Sequence, residues 1–140
     1  KRQAQGLSNV TFEHWLPYAD LPDRIRRADI LLGVFGATPK AQRVIPNKVF
    51  QALACGKPLV TCAAPTYPAP ISEDETGIIF VAAGMPLQLA QAVGRLAMHP
   101  ARLQPHAHAA RAYYERHFSG KHIERQLASA LSDPHDALRR

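Results

Sequence analysis

No apolar run in this 140-residue chain is longer than a few residues. Crossing a bilayer takes about 18, and the core of a secretory leader about 7–15. That absence leaves a cytoplasmic protein as the expectation. Cysteine is almost missing: Cys55 and Cys62 stand alone, without metal-ligand spacing. A disulfide framework and a zinc site are both excluded, and two small buried thiols are expected instead. Aromatic residues make up 7% of the chain, with one tryptophan, and they do not interleave with the basic residues as base-stacking platforms would. Nucleic acid is therefore not the expected partner. Acids are few as well, 11 against 17 lysines and arginines.

The hydrophobic share of 46% and charged share of 20% are those of a globular chain large enough for a real core. A formal charge of +6 and a pI near 9.8 call for an anionic partner. A phosphorylated small molecule and the anionic face of a membrane both fit. The second would make the protein peripheral at the inner membrane face. There is no internal repeat, low-complexity tract or second domain, so residues 1–140 read as one domain.

The informative stretch runs from Ile30 to Cys62. Ile30–Val34 is a short apolar run without alternation, which suits a parallel strand covered on both faces. A polar loop follows, and Pro46 is suited to a first helical turn, where its missing N–H is harmless. Val49, Phe50 and Leu53 give the next helix an apolar stripe. Gly56 should end it in the left-handed conformation, and Pro58 prevents its resumption. Leu59–Cys62 is the next buried strand. Such a unit is a right-handed crossover whose loop and helix start lie at the carboxyl edge of the first strand, where open α/β sheets bind ligands.

Elsewhere, Asn9–Phe12 reads as a strand. Asp20 or Asp23 can cap a helix over Asp23–Ala28 that has acids at its start and bases at its end. Ala63–Pro70 is proline-rich and can be neither helix nor central strand. Ser72–Gly77 is a polar turn before the buried strand Ile78–Val81. Pro86 and Pro100 open further helices, and Ser119 caps a last one over Lys121–Leu131, with Ile123, Leu127 and Leu131 on one face. The fold class is α/β, a Rossmann-like parallel sheet of about four visible strands flanked by helices. Doubly wound sheets average about five or six, so one or two N-terminal strands are expected beyond this chain, and Lys1–Gly6 reads as a frayed helix end.

The candidate site is the loop and helix start. Gly33 and Gly36 allow close backbone approach to a ligand. The helix tip after Ile45 offers free N–H groups and positive potential for a diphosphate, and Lys40, Arg43 and Lys48 add charge. Asn47 and Gln51 complete the set. Glu73 is a secondary candidate. Of the histidines, His99, His106, His108, His117 and His122 read as surface groups, since His106 and His108 point to different helix faces, and His14 lies in a loop that could face the cleft. No Ser-His-Asp or Cys-His set and no phosphate-binding Walker loop is readable, and no metal or cofactor is called for.

The residues Asn9–Phe12, Arg27–Ala28–Asp29, the loop-helix Ile45–Pro58, Asp74–Phe80 and Tyr113–Ser119, in this order and spacing, resemble the C-terminal half of group 1 glycosyltransferases of the GT-B fold. The resemblance spans nearly the whole chain. It implies a donor lobe that binds a nucleotide sugar, pairs with an N-terminal acceptor-binding domain (upstream or on a separate chain), and transfers the sugar with retention to a sugar or lipid-linked acceptor. The family usually carries two glutamates separated by seven residues across the loop-helix. Here Arg43 stands at the first position, which contacts the donor sugar, and Gln51 at the second, which binds the ribose. An amide lacks the charge-assisted strength of a carboxylate, roughly twofold per bond. The resemblance therefore also leaves room for a non-catalytic module of the same fold, or a related sugar epimerase. It implies that the isolated chain is catalytically silent.

Overall fold

The structure, a computed structural model, describes residues 6–13, 15–67 and 72–132. His14, the Pro68–Pro70 part of the proline-rich stretch and residues 1–5 of the expected N-terminal helix end fall outside them. A 3₁₀ turn at Tyr18–Asp20 leads into α1 (Leu21–Arg26), β1 (Leu31–Leu32), α2 (Asn47–Ala54) and β2 (Leu59–Cys62). Then come α3 (Glu73–Thr76), β3 (Ile78–Val81), α4 (Pro86–Met98), a 3₁₀ turn at Pro100–Arg102, α5 (Leu103–His117) and α6 (Gly120–Ser132). The α/β class is thus observed as a three-stranded parallel sheet in the order β1-β2-β3 with helices around it.

Leu59 pairs with Ile78 and Cys62 with Val81. Alternation along the strands sends Leu59 and Ile78 to one face, where Val49, Ala52 and Leu53 of α2 and Ala110 and Tyr113 of α5 cover them. Val60, Ile79 and Val81 face the other way, onto Ala92 and Leu96 of α4. β2 is fully buried, as a central parallel strand should be.

Two glycines set this packing. Gly56 has φ +61°, and its N–H and that of Lys57 donate to the carbonyls of Leu53 and Ala52, closing α2 in a Schellman turn. Gly77 has φ +63° and lies directly under α5. A Cβ built there would fall 2.1 Å from the His106 carbonyl oxygen and 2.8 Å from the Ala110 nitrogen.

The outer edge of β3 is blunted by its own neighbours. The Ile78 N–H donates to Thr76 Oγ1 at 3.1 Å and the Ala82 N–H to Gln88 Oε1 at 2.9 Å.

Several expectations are corrected. Asn9–Phe12 runs outside the sheet, its first bond being a local turn from the Val10 N–H to the Leu7 carbonyl. Strand propensity at those positions is satisfied only by a neighbour in register, so three strands rather than four are observed among the described residues. β1 is shorter than Ile30–Val34 and is open on one face, with Leu32 49% exposed. α1 starts two residues early, capped at Asp20 without a side-chain bond, while Asp23 pairs with Arg26 at 2.7 Å. Ser72–Gly77 contains α3, because the Ser72 hydroxyl accepts the Glu75 N–H at 3.1 Å as an N-cap does. Ser119 caps α6 as expected, yet Ile123, Leu127 and Leu131 are exposed.

His106 is no surface group. It is 2% exposed, in line with Ala110 and Tyr113 at helical spacing, and its Nε2 is buried without a hydrogen-bond partner. His117 and His122 are half-buried against each other, ring centroids 6.2 Å apart, and burial followed by Arg116 and His122 pulls the His117 pKa down.

Gly77→Ala should cost well over the about 1–2 kcal/mol of left-handed strain alone, since backbone of α5 occupies the space. Gly84→Ala, with φ +73° but nothing within 4 Å, should cost only the strain. Urea unfolding of the two variants checks this, and equal losses would refute the close fit at Gly77.

Candidate functional site

The site is built at the carboxyl edge of β1 and β2. Beyond Leu32 the backbone keeps pairing: the Gly33 N–H donates to the Val60 carbonyl at 2.8 Å, and the Cys62 N–H to the Val34 carbonyl at 3.0 Å. Thr61 is the one polar residue of β2, and its Oγ1 lies 3.3 Å from both the nitrogen and the oxygen of Val34. A Cβ on Gly33 would fall 2.2 Å from that oxygen. The room made by Gly33 is therefore taken by Thr61, whereas Gly36 is exposed, its nearest neighbour to a built Cβ being Ala41 at 3.8 Å.

From Gly36 the loop folds on itself. Thr38 Oγ1 accepts the Ala41 N–H at 3.3 Å, and the Arg43 N–H reaches the Lys40 carbonyl at 3.3 Å. Its inner side, with Val34, Ala41, Val44 and Pro46, closes on Thr61, Cys62, Ala64 and Tyr67 and leaves no room for a water molecule. Lys40 and Arg43 are exposed on the loop and do not line this filled hollow. Pro46 is the N-cap rather than the first helical residue, with the Val49 N–H on its carbonyl at 2.9 Å. The first N–H groups of α2 have no partner inside the helix. Asn47 and Gln51 are one turn apart on the same face. Lys48 bends back so that Nζ lies 3.5 Å from the Gly33 carbonyl, which joins helix and loop.

The set Gly33, Gly36, Lys40, Arg43, Asn47, Lys48 and Gln51 thus belongs to one loop-helix unit. Glu73 does not join it. Glu73 opens α3 at the amino end of β3, the opposite edge of the sheet, and pairs with Arg95 at 3.2 Å. Cys62 is buried, with Gln42 Nε2 on its sulfur at 3.7 Å, and Cys55 is half-buried.

Sequence reasoning missed the floor of the site. Tyr67 packs edge-on against Phe80 at 4.9 Å and shares a hydrogen bond with Thr61. Burial raises its pKa most, Cys62 and Tyr113 add to this, and the Thr61 bond opposes it. The available signal was the lone hydroxyl in Leu59–Cys62.

Chemically, the unit presents the cations Lys40, Arg43 and Lys48 beside the amino end of α2, with no carboxylate or imidazole among its members, a composition suited to an anion. No group of three or more His, Cys, Asp or Glu able to hold a metal lies among the described residues, and no described helix is long and apolar enough to cross a membrane.

A family model described as glycosyl transferase-like matches residues 2–129. The chain belongs to that family. No match is found among curated proteins or solved structures. That membership supports glycosyl transfer as the general kind of activity.

Thr61→Val should cost about 1–3 kcal/mol, because it strands polar atoms of Val34 and Tyr67. Stability should also fall at alkaline pH. With the Tyr67 and Tyr113 pKa values raised on folding, their contribution is complete below the unfolded phenol value of about 10 and disappears as pH climbs through the folded ones. Chemical unfolding midpoints between neutral pH and pH above that value should show this fall, and a flat profile would contradict it.

Proposed function

We propose that this chain is the donor-binding lobe of a GT-B, group 1 glycosyltransferase, serving polysaccharide or glycolipid synthesis at the cytoplasmic side. Its ligand is the nucleotide diphosphate of a sugar donor. The diphosphate lies against the start of α2 with Lys48, Lys40 and Arg43 around it, and Gln51 bonds the ribose with Asn47 beside it. Gly36 gives the backbone room at the loop. The role in catalysis is electrostatic: these groups stabilise the charge that builds on the departing diphosphate. Acid–base and acceptor groups come from an N-terminal lobe.

The observation that carries this reading is the joining of Lys48 to the base of the loop at Gly33. It puts a cation over the edge where parallel sheets receive ligands, next to a helix tip of the right polarity. Family membership supports the transferase reading. A second reading is favoured by the filled hollow under the loop and by exposed Leu32: a non-catalytic assembly module that docks through this surface.

Calorimetric titration with uridine and guanosine diphosphates separates the two. One of them should bind, and Lys48→Gln should weaken binding about tenfold or more, the loss of one charge-assisted bond. Silence of both at millimolar concentration would overturn the donor-lobe reading and leave the assembly module.

A further inference from the structure

At the opposite edge of the sheet lies an open groove of about 500 Å³, bounded by Arg26 of α1, the turn Ala54–Lys57 after α2, and Gln104, Ala107, His108 and Arg111 of α5. Four of these nine residues are basic and none is acidic. The volume is that of a small-ligand site. From this composition and shape we infer a second anion site, for a phosphate-bearing ligand, formed by Arg26, Lys57, His108 and Arg111.

The groove is held open and its main fork held still. The Arg111 guanidinium donates through Nη1 to the Ala54 carbonyl and through Nη2 to Glu115, and it lies 5.8 Å over the Tyr114 ring. Arg26 is tethered through Nη1 to Asp23 at 2.7 Å, which leaves its other nitrogens available. The floor is Gly56, where a Cβ would already sit 3.4 Å from the Ala107 carbonyl and 3.5 Å from Arg111 Cβ. Positive side chains at the ends of α1 and α2 offset the negative poles of those helices. That accounts for Arg26, Lys57 and Arg111 singly. It does not account for His108, which projects from the body of α5 into the same groove. Lys57, His108 and the Arg26 nitrogens not on Asp23 are the donors open to phosphate oxygens, while Arg111, engaged with Ala54 and Glu115, forms the wall beside them.

The site is separate from Lys40, Arg43 and Lys48, so the two stand or fall independently. The test is inorganic pyrophosphate, followed by heteronuclear NMR of the full chain. The amides of Gly56, Lys57 and His108 should shift saturably. Lys57→Gln and His108→Gln, at a half-buried and an exposed position and each checked for an unaltered urea midpoint, should each weaken that response about tenfold, while Lys40→Gln leaves it as it was. Amides that stay still at millimolar pyrophosphate, or that respond equally in the Lys57 and His108 variants, would overturn the assignment. Co-sedimentation with phosphatidylglycerol but not phosphatidylcholine vesicles, sensitive to the same two substitutions, assigns the phosphate to a lipid headgroup. Pyrophosphate binding without co-sedimentation assigns it to a soluble ligand.

Discussion

Three short strands cannot hold a sheet together by themselves, and here the sheet is held by the contact between α5 and Gly77. With no side chain at that residue, the backbone of α5 at His106 and Ala110 rests on the turn before β3. From that seat Ala110 and Tyr113 reach the face of the sheet that α2 also covers, and Phe118 meets Phe50 edge-on at 5.0 Å. α2 is therefore clamped between sheet and α5, and its first turn, which carries the candidate site, is fixed by packing some distance from it. The left-handed turn at Gly77 and the Ser72 cap on α3 are local preconditions for that seat.

What the sequence disclosed follows from where its information is local. The end of α2 was legible because a glycine followed by lysine and proline admits few backbone paths, and the Schellman bonds at Gly56 and Lys57 realise one of them. β2 and β3 were legible because both faces of each are covered. Asn9–Phe12 was not, because β-branched and aromatic side chains state a preference that only a neighbouring strand can satisfy. His106 was misplaced for a related reason. Judged against His108 it looked like half of an exposed pair, and its alignment with Ala110 and Tyr113 gains meaning only once Gly77 is seen to face that side.

The site was legible as a unit but not as a surface. Gly33 suggested space for a ligand, and the space exists, yet a side chain from the adjoining strand fills it. A sequence states which residues can come close to a backbone without stating what does. The apolar underside of the loop was likewise hidden: Ala41, Val44 and Pro46 are scattered among polar positions, and only the folded turn shows them sharing one side.

That division has an evolutionary consequence. Because the residues of the loop anchor it by one side and present charge by the other, the outward positions can be exchanged with little strain on the interior. Arg43, exposed on the loop, is one such outward position. A lineage with this arrangement can try new ligands by altering the exterior of a single turn, while the interior that keeps the turn in place stays the same.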